Sequence, residues 1–170
     1  MHRPFFDSAW ARFLEVNVSV QDVGRIIGGK VKLNIDQRTF PNACPIRMSY
    51  VLNHTGFPVN KNLVPLDGDG RLQVSSGADS LWYIFRVKAL RSYLQTVFGD
   101  PDIELQTPPI VASALPGEKG IVIITGSGWD DAAGHATLFD GSSCSDICHF
   151  AGDPENGTFT PTKAVLWRLP

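Results

Sequence analysis

The chain predicts an α+β fold in which N-terminal helices pack on a small antiparallel sheet. Three observations carry that expectation. Apolar residues recur at helical spacing through the first hundred positions. After Pro108-Pro109 the texture changes to short strand-like runs. Gly120-Ile121-Val122-Ile123-Ile124 is continuously apolar, as a buried strand requires. With 170 residues the chain has the size of one domain with one substantial core, so residues 1–170 are taken as a single domain.

Asp7 or Ser8 caps a first helix in which Trp10, Phe13 and Leu14 share a face. A second begins after Ser19 and runs through Val20, Val23, Ile26 and Ile27. Gly28-Gly29 interrupts it while Val31, Leu33 and Ile35 continue the pattern, so its end stays open. Residues 36–43 form a turn-rich lead into a helix from Cys44, where Pro45 is tolerated because its missing N–H costs nothing in a first turn. Gly56 offers that helix a left-handed stop. Residues 57–80 are rich in Gly, Asp, Asn and Pro and read as a solvated loop, a candidate groove wall. Asp67-Gly68-Asp69-Gly70 lacks the glutamate that ends an EF-hand loop. Asp79 or Ser80 caps a helix striped by Trp82, Phe85, Ala89, Tyr93 and Val97 and ending at Gly99. Residues 135–139 and 164–169 supply further strands.

Several function classes fall away. A net charge of −2 gives no electrostatic case for nucleic acid or anionic membrane as partner. No apolar run approaches a membrane span, and Asp7 falls where the apolar core of a secretory signal would continue. Gly28-Gly29-Lys30 lacks the spacing of a phosphate loop. His135, Cys144, Cys148 and His149 are the one candidate zinc set, but they contain no CxxC pair, so no metal or other cofactor is expected. Three cysteines divide naturally into one pair plus one free thiol, and a bridge would imply an oxidising destination.

Cys44 is the candidate nucleophile. Unpaired N–H groups and the positive end of the macrodipole at a helix start favour a thiolate. The alternative is a core thiol, since Cys44, Met48, Val51 and Leu52 also follow apolar helical spacing. His135 opens a strand and shares a face with Thr137 and Phe139. A cysteine at a helix start with a downstream strand histidine is the constellation in which imidazole takes the thiol proton and later protonates the leaving amine. Asp140 and Asp146 are the candidates to orient the imidazole, and spacing alone does not choose between them. Asp146 is preferred because the segment beyond Gly141-Ser142-Ser143 can return beside His135.

Two stretches, Asn42-Ala43-Cys44-Pro45-Ile46-Arg47-Met48-Ser49 and Ser127-Gly128-Trp129-Asp130-Asp131-Ala132-Ala133-Gly134-His135-Ala136-Thr137-Leu138-Phe139-Asp140-Gly141, are joined by Cys144-Ser145-Asp146. Together they resemble the type VI secretion amidase effectors, family four, of the NlpC/P60-like, papain-like superfamily. The resemblance implies a papain-like fold and a cysteine amidase that cuts peptidoglycan stem peptides between γ-D-glutamate and meso-diaminopimelate. It implies Cys44 as nucleophile, His135 as base, Asp146 as third member, and a Cys144–Cys148 disulfide that rigidifies the Asp146 loop. It further implies an immunity protein that blocks the cleft, and injection by the secretion apparatus into a rival's periplasm, which needs no signal peptide. On that footing the Cys44 N–H is a ready oxyanion donor, an effect worth about 3 kcal/mol. Arg47 is a candidate for substrate carboxylates, and Trp129 for a groove wall. The rival readings are a cysteine peptidase or transamidase acting on proteins, and a cell-wall binding module with a structural cysteine.

Overall fold

The computed structural model describes residues 2–40, 42–106, 109–128, 134–152 and 158–170. Five helices come first: α1 (Phe6–Val16), α2 (Val20–Ile27), α3 (Gly29–Asp36), α4 (Cys44–Asn53) and α5 (Val87–Phe98). A hairpin of β1 (Val74–Ser76) and β2 (Trp82–Ile84) lies between α4 and α5 in the chain. Then β3 (Ile103–Leu105), β4 (Gly120–Ser127), β5 (Gly134–Phe139) and β6 (Thr160–Arg168) form an antiparallel sheet in the order β3-β6-β4-β5. The fold is α+β, as expected.

Helix α4 is the centre of the packing. Cys44, Pro45, Ile46, Met48, Ser49, Val51, Leu52 and Asn53 are all buried, so the helix is enclosed on nearly every side rather than along one stripe. Met48, Val51 and Leu52 join Phe6, Ala9 and Phe13 of α1, Leu90 and Leu94 of α5, and the sheet residues Ile121, Ile123, Ala136, Leu138 and Trp167 in one cluster. Ile46 faces a second cluster with Val23 and Ile27 of α2, Val31 and Ile35 of α3, and Tyr83. The other face of the sheet has its own core: Val122, Ile124, Phe139 and Leu166 pack under Ile110, Leu115, Phe150 and Phe159.

Two buried polar side chains lock α4 to β2. Ser49 Oγ donates to the Pro45 carbonyl at 2.8 Å and accepts the Ile84 N–H at 2.9 Å. Asn53 Nδ2 donates to the Trp82 carbonyl at 3.0 Å, while its Oδ1 accepts the Val59 N–H at 2.8 Å. The middle and the C-terminal end of the helix are therefore registered on the hairpin.

The structure corrects three sequence expectations and settles one that was left open. The first helix starts at Phe6 with no side-chain cap, and Leu14 lies exposed, so its buried stripe is Phe6, Ala9, Phe13 and Val16. The open-ended second helix is two helices, because Gly28 takes φ +68° and ends α2, whose start Ser19 caps through the Asp22 N–H. Residues 57–80 include a short helical turn (Lys61–Leu63) and β1, so they are not all loop. Trp82 and Phe85 belong to the hairpin region rather than to α5. Asp79 accepts the Leu81 N–H and the Tyr83 hydroxyl and so caps a hairpin turn, while helical conformation begins only at Val87. The run Leu81-Trp82-Tyr83-Ile84-Phe85 is rich in the aromatic and branched side chains that strands favour. Its three-residue Trp82–Phe85 spacing mimicked a helix stripe.

Ser49→Ala leaves the buried Ile84 N–H without its acceptor. The expected cost is about 1–3 kcal/mol of unfolding free energy. Urea titration reads it as a lowered midpoint with an unchanged slope.

Candidate active site

The site forms where α4 begins and the edge strand β5 passes it. Cys44 is the first residue of α4 and only 1% exposed, with Pro45 directly behind it. It lies close enough to the His135 imidazole to raise that group's pKa. His135 sits near the start of β5, paired with Ile124 of β4. Gly134 allows the strand to begin there, since a Cβ at that position would lie 2.3 Å from the Ile124 carbonyl oxygen.

His135 Nε2 lies 3.1 Å from Asp146 Oδ1, so Nδ1 is the ring nitrogen that the carboxylate does not engage. With the carboxylate as acceptor, Nε2 carries a proton in this contact. Asp140 is engaged elsewhere: its Oδ1 accepts the Ser142 and Ser143 N–H groups and the Ser142 hydroxyl, closing the turn after β5. The structure thus brings Cys44, His135 and Asp146 together and leaves Asp140 in a local turn.

The Asp146 loop is held by several restraints. Cys144 and Cys148 form the disulfide. Cys144 bridges back to Phe139, and the Ser145 N–H donates to the Leu138 carbonyl at 2.9 Å. Leu138 N–H donates to Ser145 Oγ at 3.2 Å, Ser145 Oγ lies 3.1 Å from Thr137 Oγ1, and Thr137 Oγ1 donates to Asp146 Oδ1 at 2.6 Å. Thr137 spends its one proton on the carboxylate, so Ser145 is the donor to Thr137. The whole chain of donors points at Asp146.

The electrostatics follow from this geometry. Burial alone pushes the His135 pKa down. The hydrogen bonds and negative charge of Asp146 and Cys44 outweigh it and raise the value from 6.5 to about 10. Burial pushes Asp146 up, but its bonds from His135 and Thr137 and the nearby Arg47 charge hold it below the ordinary carboxylate value. The buried imidazole and carboxylate therefore favour their charged forms together.

Arg47 differs from expectation. Its Nε donates to the Val16 carbonyl at 2.9 Å and an Nη to the Val18 carbonyl at 2.6 Å, so the guanidinium is committed to the protein's own backbone. The oxyanion expectation also needs a correction. The Cys44 N–H donates to Asn42 Oδ1 at 3.0 Å, so that donor already has a partner. Trp129 lies outside the described residues. Of the candidate zinc set, Cys144 and Cys148 are consumed by the disulfide, and no group of three metal-binding side chains occurs among the described residues.

Sequence reasoning missed three neighbours of the site. Thr137 had a visible signal, because it shares His135's strand face. His149 packs edge-on against the His135 ring, with centroids 4.6 Å apart, and its Nδ1 lies 3.2 Å from the Gly152 carbonyl. Asn17 Nδ2 donates to the Ser145 carbonyl at 2.8 Å. Neither had a signal in spacing, since both contacts are made between distant segments.

The chain resembles known proteins of one family. The family profile described as type VI secretion system amidase effector protein 4 matches residues 40–167. A structure of the effector–immunity complex Tae4–Tai4 from Enterobacter cloacae contains a chain 49% identical, covering 99% of this chain and 100% of that one, with a TM-score of 0.89. The effector Tae4 from Salmonella typhimurium, in complex with the immunity protein from Enterobacter cloacae, is also 49% identical over 99% and 100% of the two chains, with a TM-score of 0.88. The effector from Enterobacter cloacae on its own is 48% identical over 99% and 98%, with a TM-score of 0.85. Among curated proteins, none matches. A profile match that spans both the Cys44 helix and the His135 strand, with half-identical structures along the whole chain, establishes that the chain belongs to the type VI secretion system amidase effector 4 family.

Proposed function

We propose that this amidase effector hydrolyses the γ-D-glutamyl–meso-diaminopimelate bond of peptidoglycan stem peptides through Cys44. The observation that carries the reading is the placement of His135 beside Cys44, which starts a buried helix, with its Nε2 3.1 Å from Asp146. His135 takes the thiol proton, and the thiolate attacks the amide carbonyl to form a tetrahedral intermediate. The imidazolium then protonates the departing amine, leaving a thioester on Cys44. Water, deprotonated by the same imidazole, attacks the thioester and releases the new carboxylate and the free thiol. Asp146 holds the imidazole in orientation and stabilises its protonated form. The Cys44 N–H serves the oxyanion once it is shared with, or released by, Asn42. Arg47 acts by positioning: it ties α4 to the α1–α2 junction and adds positive charge beside Asp146.

Family membership places the effector inside target cells, and no helix among the described residues is long and apolar enough to cross a membrane. The site of action proposed is the target's periplasm, where peptidoglycan is accessible and the Cys144–Cys148 disulfide is stable. An immunity protein that enters the cleft at Cys44 is the partner proposed, in line with the effector–immunity complexes of its relatives.

Mass spectrometry of muropeptides identifies both bond and nucleophile. Cys44→Ala and His135→Ala abolish release of the cleaved stem peptides, and Asp146→Ala reduces it at least about a hundredfold. Asp140→Ala retains near-wild-type turnover. Full activity of Cys44→Ala, or a greater loss in Asp140→Ala than in Asp146→Ala, overturns the assignment.

The coupled pair also sets a pH dependence. His135 has a raised pKa, so its contribution to stability is complete below 6.5 and declines as pH rises from there through about 10. Asp146 has a lowered pKa, so its contribution is present above 3.8 and is lost as pH falls. Denaturant midpoints of the wild type are therefore expected to fall at both extremes relative to His135→Ala. Parallel profiles for the two proteins across this range contradict the pairing.

A further inference from the structure

Beside the start of α4, a groove of about 730 Å³ runs between α3, the β1–β2 hairpin and the first turn of α5. Its walls carry Lys30, Arg71, Arg86 and Lys88, all exposed, against a single carboxylate, Asp67. Among the described residues Lys30, Arg86 and Lys88 form no ion pair, and Arg71 has only Asp69 at 3.7 Å. The single Asp67 carboxylate offsets one of these four charges and leaves a formal surplus of three. The floor is apolar and aromatic: Phe40 and Phe85 stack at 4.4 Å, and Trp82 is half-buried beside them. Asn42, whose Oδ1 accepts the Cys44 N–H, lines the same groove. The groove therefore reaches within two residues of the candidate nucleophile.

We infer that this groove binds the free carboxylates of the peptidoglycan substrate beyond the scissile bond. The inference rests on the peptidoglycan reading above. Its warrant is charge complementarity together with position. A γ-linked glutamate leaves its α-carboxylate free, and diaminopimelate brings a second carboxyl group on its side arm, so a stem peptide is a chain of anions on either side of the cleaved amide. This chain has a net charge of −2, so a steering field for such a substrate has to come from a local concentration of cations. The groove supplies four of them on a surface continuous with the start of α4. Arg47 does not line the groove, and its Nε and one Nη are bonded to Val16 and Val18. Backbone hydrogen bonds from Arg71 and Asp69, with the charges of Arg71 and Arg86, hold Asp67 below the ordinary carboxylate value. Both cations therefore act at the same point of the groove.

The test compares two fourfold charge-removal variants on soluble muropeptides. One replaces Lys30, Arg71, Arg86 and Lys88 by Gln; the other replaces Arg12, Arg25, Lys119 and Lys163, which lie away from the groove. The groove variant raises KM about tenfold at low salt with kcat unchanged. Its salt dependence flattens, and amidating the substrate carboxylates abolishes its difference from wild type. The control variant keeps the wild-type KM. An unchanged KM in the groove variant, or an equal rise in the control, overturns the inference. A readout that needs no turnover separates this from the nucleophile assignment. On a Cys44→Ala background, titration calorimetry with the same muropeptides shows about tenfold weaker binding after the groove substitutions. Equal affinity there overturns the groove even if cleavage is confirmed, and weaker binding upholds it even if Cys44 proves not to be the nucleophile.

Discussion

The proposed nucleophile, Cys44, stands at a helix start, and burial of α4 on almost every side holds that helix in place. The helix sits between α1, α5, the hairpin and the sheet, so its axis is fixed by apolar contacts from two clusters at once. Apolar packing alone fixes position better than rotation. Ser49 and Asn53 supply the missing restraint, because each bonds to the backbone of the β2 segment from inside the core. The apolar periodicity that makes Cys44 look like an ordinary core thiol is thus the same packing that aims it.

The partner side of the site is built on a different principle. His135 stands on a strand, rigid by its pairing with β4, but Asp146 stands on a loop beyond the last strand residue. Loops are the mobile parts of most folds. This one is restrained by the disulfide, by the Phe139–Cys144 bridge and by the run of donors from Leu138 through Ser145 and Thr137. A bridge that closes so short a loop contributes only roughly 2 kcal/mol by chain entropy. Its larger effect is local: it fixes the backbone on both sides of the carboxylate that keeps the imidazole charged.

The legibility of the sequence followed the range of the interactions involved. The α+β class, the start of α4, the three principal strands and the Cys44–His135 constellation were readable because each is written in local periodicity or in a residue type at a boundary. The hairpin was misread because Trp82, Phe85 and Ala89 satisfy helical spacing, while pairing with Val74–Ser76 is invisible until the chain folds. Leu14 was misassigned for a similar reason: its spacing suits a buried stripe, yet Val16 takes that face. The choice between Asp140 and Asp146 depended on where a loop returns, and the role of Arg47 on two carbonyls about thirty residues away. Neither is a property of spacing.

The least legible part is also the part that joins the two halves of the site. The short segment between α1 and α2 receives Arg47 from α4 at the Val16 and Val18 carbonyls, and its Asn17 reaches out to the Ser145 carbonyl. α1 has no basic residue in its own last turn, so Arg47 also supplies the cation that its C-terminal carbonyls favour. One side of this segment is thereby tied to the helix that carries Cys44, and the other to the residue next to Asp146. A displacement of α4 relative to the Asp146 loop would have to break one of these bonds. The two sides are therefore gauged against each other through this segment as well as through His135. The separation of the groups on either side of the imidazole is thus set by the fold rather than by His135 itself.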